Sequence, residues 1–339
     1  MNQELTKVLC GFPQLLDHTT EHPTYLGVHL SPICNFRCKK CFIGSQEKLI
    51  GLSKTLTLNE IYKLMKSGKD AGIKGFGLTG AGEPLLDRRI KKIVVHANKL
   101  GLITYLVTNA SMLDKETIEL FRDNNVTMLL SLDTLDPNKF NDFTGTSKGM
   151  HKKVIENIML AQKIYKNTKT IDKERNMEIY RLAIHMTVSK QNMEDIPSIN
   201  KIIKEDTLLS ISPLASEGWA KNNFNKGDYV KKLNTEKHIV KIPDPITGQD
   251  ICGFFRYGVD VNFDGALLLD AHAIETRKVL PNIRDLDLDV QKAHNSLQPI
   301  KEEFINNYLD GFCPVRSKNL VKWIKDKEVC GGCLWYLKK

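Results

Sequence analysis

Between residues 24 and 214, short apolar runs alternate with amphipathic stretches, and this alternation limits the possible folds more than any other feature of the 339-residue chain. Six runs read as strands: TYLGVHL (24–30), GFGLTG (75–80), ITYLVTN (103–109), TMLLSLD (127–133), YRLAIHMTV (180–188) and TLLSISPL (207–214). Between them, TLNEIYKLMKSGKDAG and DKETIELFRDNN open on helix-capping residues, Thr57 and Asp114, and Gly72 closes the first. Strands separated by helices lie parallel, because each helix carries the chain back to start the next strand in the same direction. The expected fold class is therefore α/β: a partial (β/α)6 TIM-like barrel, with its chemistry at the C-terminal ends of the strands.

After residue 220 the pattern changes. KNNFNKGD is polar and rich in breakers, and RYGVDVNFDGALLLD reads as a hairpin turning at Asp264-Gly265. This divides the chain into an N-terminal extension (1–23), the partial barrel (24–220) and a smaller C-terminal module (221–339). No basic segment precedes an apolar run at the N-terminus, and no run approaches the length of a membrane span, so a soluble, cytoplasmic protein is expected. In that reducing setting clustered cysteines point to metal or redox chemistry, not to disulfides. The net charge of +9 favours acidic partners, but the lysines are scattered. Without a basic stripe or interleaved aromatics, a nucleic-acid partner is not expected.

Three of the eight cysteines fall in SPICNFRCKKCF: Cys34, Cys38 and Cys41, spaced C-x3-C-x2-C directly after the first strand. Three thiolates leave one iron of a four-iron cluster open to a small chelating molecule, whereas electron carriers and structural zinc sites are closed by four ligands. A zinc site or unligated thiols remain the alternatives for the triplet alone. The loop resembles the cluster loop of the radical S-adenosylmethionine (SAM) superfamily. The resemblance implies that the open iron is chelated by the methionine end of SAM, which is cleaved to a 5′-deoxyadenosyl radical. Relatives usually carry an aromatic residue just before the third cysteine; here it is Lys40, and Phe42 is the candidate to replace it against adenine.

Three further strand ends resemble the same family. TGAGEP (Gly80, Ala81, Gly82, Glu83) is similar to its GGEP motif, with alanine for the second glycine. Thr108 and Asn109 follow the third strand, and Ser131 and Asp133 the fourth, where relatives present groups to SAM's methionine and ribose. Taken alone, each is an ordinary turn or cap residue. Lys148 lies near where relatives often carry an arginine for SAM's carboxylate, with a solvated helix-start lysine as the plain alternative. His185, Thr187 and Pro213, on the last two strands, are placed to line the pocket, although a satisfied core histidine is the commoner case.

The later cysteines, Cys252, Cys313, Cys330 and Cys333, with the hairpin between the first two, look like the auxiliary-cluster extension known as the twitch or SPASM domain. Five positions after the hairpin glycine, where relatives have a cysteine, stands Asp270. The resemblance therefore implies one auxiliary 4Fe-4S cluster on the four cysteines, with a structural zinc site as the alternative. Cys10 stands apart as a plain thiol. Asp270, His272 and Tyr257 are the candidate catalytic residues. The expected activity is hydrogen abstraction from an unactivated C–H bond in a ribosomally made peptide, by an enzyme of oxidoreductase or isomerase type. Dehydrogenation or epimerisation of an amino sugar or polyol is the alternative, and an iron–sulfur electron-transfer or binding protein the alternative of another class. A reductant such as flavodoxin or ferredoxin is the implied protein partner.

Overall fold

The computed structural model describes residues 5–11, 21–41, 44, 54–79, 81–214, 218–228, 241–243, 250–309, 317 and 319–329. Its strands, in chain order, are β1 (Thr6–Leu9), β2 (Tyr25–Val28), β3 (Gly75–Leu78), β4 (Ile103–Thr108), β5 (Val126–Ser131), β6 (Thr170–Asp172), β7 (Met177–Tyr180), β8 (Leu182–Val188), β9 (Leu208–Pro213), β10 (Lys241–Pro243), β11 (Asp250–Cys252), β12 (Gly258–Val261) and β13 (Leu267–Leu268). Helices are α1 (Leu58–Asp70), α2 (Ile90–Lys99), α3 (Lys115–Asp123), α4 (Pro137–Thr144), α5 (Met150–Ile164), α6 (Ile196–Ile202), α7 (Ala220–Asn223), α8 (Gly253–Tyr257), α9 (Val290–Asn307) and α10 (Leu320–Val329).

The six strands expected from the sequence are β2, β3, β4, β5, β8 and β9, and they lie side by side in that order, all parallel. The helix signals hold as well. Thr57 and Glu60 form a reciprocal capping box at the start of α1, and Asp114 accepts from the Thr117 amide at the start of α3. Each satisfies an amide that the first helical turn leaves without a partner.

The hairpin also forms, with Gly265 at φ +87, but it lies in the main sheet and not in a module apart from it. β12 pairs parallel with β2, Gly258 opposite Tyr25 and Val261 opposite Val28, so the sheet continues to eight strands in the order β13-β12-β2-β3-β4-β5-β8-β9. The later segment is tied down at two more points. Arg284 Nε donates to Glu60 Oε1 of α1 at 2.6 Å, and the Val290 amide of α9 donates to Ser67 Oγ at 2.9 Å. The described part of 250–309 thus shares the sheet and helix layer of 24–214. Of the late cysteines only Cys252 is described; Cys313, Cys330 and Cys333 lie outside the described residues.

Strand alternation separates two faces of the sheet. Leu26, Val28, Phe76, Leu78, Leu106, Met128, Leu130, Ile184 and Met186 join the large apolar cluster that also takes in the helices. The alternate residues Tyr25, Tyr105, Leu129, Ala183 and Leu208 form a second cluster on the other face. In step with these along the strands come Gly27, Gly77, Asn109, Asp133, His185, Thr187, Ser210, Ser212 and Asp260. This inner face, apolar at one end and small or polar at the other, is where a polar ligand can lie.

Candidate active site

The cysteine loop follows β2 at its C-terminal end and is anchored on both sides. The Arg37 and Lys39 amides donate to the Thr144 and Phe143 carbonyls at the end of α4, each at 2.8 Å, and the Glu83 amide donates to the Ile33 carbonyl at 2.9 Å. Phe36 is buried, edge-on to Phe140. Burial pushes the Cys34 thiol up to about 11 and that of Cys38 higher still, and the charge of Cys41 on both, with that of Cys34 on Cys38, adds to the rise. Three such thiols within one another's field need a cationic centre to ionise together, which suits an iron–sulfur cluster. Among the described residues no three His, Cys, Asp or Glu side chains are gathered as a single metal ion requires; a cube-shaped cluster, bound at separate corners, asks for a wider spread.

The loop after β3 reaches the cysteine loop so closely that only glycine fits. A Cβ on Gly82 would sit 2.1 Å from the Ile33 carbonyl oxygen. Glu83 is buried and turned inward: it accepts from the Leu85 amide (3.1 Å), the Thr108 hydroxyl (2.6 Å) and the Asn109 amide (2.8 Å). Burial raises its pKa against these hydrogen bonds. Its carboxylate therefore braces the end of β4 and is engaged by its own chain. Beyond it, Asn109 donates to Asn35 of the cysteine loop at 2.9 Å, and Ala110 takes the left-handed conformation, φ 61, a strain that marks functional strand ends.

Lys40, which stands in for the expected aromatic residue, spans the face instead. Its ammonium meets Asp133 Oδ2 at 2.6 Å and the Thr187 hydroxyl at 3.1 Å, and the Thr187 amide donates to Asp133 Oδ1 at 2.9 Å. This joins the cysteine loop to the ends of β5 and β8. Ser131 sits beside His185 in register. His185 contacts Ser210 through Nδ1 (3.1 Å) and Ser212 through Nε2 (3.2 Å), and burial lowers its pKa to about 3, so it is a neutral, satisfied residue. Lys148 is exposed in the turn before α5. Gly80 and Phe42 lie outside the described residues. Trp219 was missed from sequence: its amide donates to the Cys41 carbonyl at 2.7 Å and its indole lies against Gly44, where a Cβ would come within 2.1 Å. A lone tryptophan in a polar linker carries no local signal of such a contact.

At the other edge of the sheet lie the three catalytic candidates. Asp270 and His272 do not lie on a strand: β13 ends at Leu268, and the two form a turn in which Asp270 Oδ1 accepts both the His272 amide (2.9 Å) and Nδ1 (3.1 Å). Tyr257 ends α8, just before β12, and is buried at the N-terminal edge of the sheet, opposite the strand ends that carry the cysteine loop. Tyr257 is thus apart from the other two, and it is Asp260 and Lys301, which no local sequence signal marks, that join Asp270 and His272. Asp260 is buried with Oδ1 unpartnered among the described residues, and Lys301 is buried with its ammonium on the Gly258 carbonyl at 2.6 Å. Lys301 is pushed down to about 8 by burial, and Asp260 is pushed up to about 7, by burial first and then by Asp270.

The turn that carries Asp270 and His272 lies over the inner face. His272 lowers the proton affinity of both His29, after β2, and His185, on β8. On a flat sheet those positions would be ~19 Å apart, four strand spacings of about 4.8 Å. His272 therefore lies over the inner face within electrostatic reach of both, and on that face Tyr25 of β2 and Tyr105 of β4, two strands apart, stack over Gly77 with ring centroids 5.5 Å apart, which makes it a concave trough. A groove of about 1160 Å³ lies at the opposite end, lined by His22, Tyr62, Lys74 and His96, and contains none of these residues.

The Radical SAM superfamily model matches residues 28–196. Among curated proteins, the chain is 34% identical over 122 residues to a GTP 3',8-cyclase of Clostridium perfringens, covering 35% of this chain and 38% of that one. It is 38% identical over 145 residues to the GTP 3',8-cyclase of Rhizobium leguminosarum, covering 41% and 40%. It is also 34% identical over 128 residues to molybdenum cofactor biosynthesis protein 1 of Dictyostelium discoideum, covering 37% and 20%. The chain thus spans a fifth to two fifths of the length of these relatives. Of solved structures, Streptococcus suis SuiB bound to precursor peptide SuiA superposes with a TM-score of 0.58 at 16% identity, covering 82% of this chain and 67% of that one. A histidine-tagged anSMEcpe with bound AdoMet gives 0.53 at 17%, covering 82% and 83%. At these identities the structures speak to the fold.

Proposed function

This chain belongs to the radical SAM superfamily, and we propose that it is an enzyme that cleaves SAM reductively and takes a hydrogen atom from a C–H bond of a substrate held in the trough. A 4Fe-4S cluster on Cys34, Cys38 and Cys41 supplies the electron for that cleavage when bound. The single observation that carries the reading is the convergence of five strand ends. The loops after β2, β3, β4 and β5 and the end of β8 are joined by the contacts of Ile33 with Glu83, Glu83 with Asn109, and Lys40 with Asp133 and Thr187. In this arrangement Gly82 lets the loop after β3 close on the cysteine loop at Ile33, Glu83 holds Thr108 and Asn109 in place, and Lys40 fixes the Asp133 carboxylate at the rim.

Two finer assignments belong to the same proposal. Cys252, with Cys313, Cys330 and Cys333, holds one auxiliary 4Fe-4S cluster; the Cys252 charge is felt by Tyr105 and Lys301 at the trough. The division at residue 220 is then one of chemistry more than of folding. For the substrate, a peptide is supported by the net charge of +9 and by a neighbour of the same fold captured with its precursor peptide. A nucleotide is the second reading, favoured by the named activity of the curated relatives. An acidic flavodoxin or ferredoxin suits the basic chain as reductant. A cytoplasmic setting fits the thiol chemistry, and no helix among the described residues is long and apolar enough to cross a membrane.

The test is anaerobic incubation of the reconstituted, reduced protein with SAM. Wild type should release 5′-deoxyadenosine, faster with GTP if a nucleotide is the substrate and faster with an acidic peptide fraction if a peptide is. Replacing Cys34, Cys38 and Cys41 together with alanine should abolish release and remove about four irons per chain. Release that survives the triple replacement would end the proposal.

A further inference from the structure

We infer that His272 is the proton-accepting residue of the trough, held in place by Asp270; this rests on the function proposed above and adds to it the group that takes a proton, as distinct from the hydrogen atom. After β13 the chain turns across the inner face. The Ala273 amide bonds back to the Asp270 carbonyl at 2.8 Å, and Ile274 packs with Ala81 and Leu268 beside Cys41. Asp270 and His272 are therefore delivered between the floor of the trough and the cysteine loop.

Within the pair the roles divide by burial: the Asp270 side chain is 4% exposed and that of His272 52%. A carboxylate only accepts hydrogen bonds, so the contact at 3.1 Å places a proton on Nδ1, and in the neutral ring Nε2 is the basic atom. The second hydrogen bond, from the His272 amide to the same oxygen, fixes the carboxylate relative to the ring. Neither other inner histidine has this form. His29 is buried and lowered to about 4, and His185 has both nitrogens on serines.

Among the described residues, the charged and titratable groups facing His272 include Asp270, Asp260 with Lys301 behind it, His29, and His185 with Lys40 behind it. In the step itself, a substrate O–H or N–H adjacent to the abstracted hydrogen gives its proton to Nε2. The X–H bond breaks with both electrons left on X, the N–H bond forms, and Asp270 balances the imidazolium charge. Asp270 acts through His272 and is a positioning residue.

Two measurements test this. Labelling of the full chain with diethyl pyrocarbonate from about pH 5 to about pH 9, resolved by peptide mass spectrometry, should show His272 reactive with a midpoint above the ordinary histidine value of about 6.5. In Asp270→Asn the midpoint should fall by about 1 pH unit or more, because the opposite charge is gone. A His272 that does not label, or one with the same midpoint in both proteins, overturns the pair; if Asp270→Asn does not fold, a wild-type midpoint at or below about 6.5 overturns it alone. His272→Gln in an extract of the source cells should then lower the yield of modified product per 5′-deoxyadenosine released by about a hundredfold, and an unchanged ratio excludes the proton-accepting role. Wild type that releases no 5′-deoxyadenosine counts against the radical function instead, while the labelling still judges the pair.

Discussion

Asp260 and Gly27 show how tightly single residues specify the trough. A Cβ at Gly27 would lie 2.0 Å from Asp260 Oδ1 and 2.7 Å from the Tyr25 hydroxyl, so the carboxylate occupies the space that any side chain there would need. Tyr25 in turn accepts from the Tyr105 hydroxyl at 2.6 Å. The Ala271 amide donates to the Asp260 carboxylate, but burial and the neighbouring Asp270 outweigh it and raise the pKa to about 7. In the unfolded chain the same carboxyl titrates near 4. Between about pH 4 and pH 7 the native state thus holds a proton that the unfolded state has lost, and stability falls as pH rises through that window, by up to about 1.4 kcal/mol per pH unit. Asp270 is lowered instead, so its contribution is lost only as pH falls below the ordinary carboxylate range. Asp260→Asn should flatten the decline, seen as urea-unfolding free energies at about pH 5 and about pH 7 that differ less than in wild type; parallel declines would mean that Asp260 ionises normally.

Among the elements, the β12-β13 hairpin links the site's two edges. Asn262 follows β12 and its Oδ1 lies 3.3 Å from His29 Nδ1, while Arg277 pairs with Asp264 in the turn at 2.9 Å. Gly265 is needed twice over: its φ is +87, and a Cβ would stand 2.6 Å from Asn282 Oδ1 and 2.9 Å from Arg284 Nη1, whose guanidinium also grips Glu60 of α1. Gly72 makes a useful comparison, with φ +93 and nothing within 4 Å of its Cβ position. Gly72→Ala should cost only the backbone term, about 1 kcal/mol, and Gly265→Ala about 1–2 kcal/mol more as the Asn282 and Arg284 contacts are pushed apart. Thermal melts should rank them in that order, and equal midpoints would show that the hairpin turn is loosely packed. Both glycines are visible in the sequence as turn residues, but what crowds only one of them is not.

For the molecule as a whole, the consequence of β12 lying against β2 is that residues 24–220 do not close their own sheet. Removing everything after 220 would bare the β2 edge and the face of α1 that takes Arg284 and Val290. An open, apolar strand edge recruits other chains. The 1–220 fragment should therefore elute as large aggregates on size exclusion, and a monomeric fragment with a native-like circular dichroism spectrum would instead establish 24–220 as a unit that folds alone. The six parallel strands, the helix caps and the side of the sheet on which the cysteines and Glu83 collect are all legible along the chain. Strand periodicity and capping are set within a few residues, and in a parallel sheet every strand end of one kind opens on one side. Nothing local announces that Lys40 meets Asp133, 93 positions away, that Asn262 reaches His29, 233 positions away, or that Asp260, Asp270 and His272 form one cluster. Those contacts depend on which strands become neighbours and how far the sheet curls, and that choice is made by the summed burial and pairing of the whole chain, which no short stretch of residues contains.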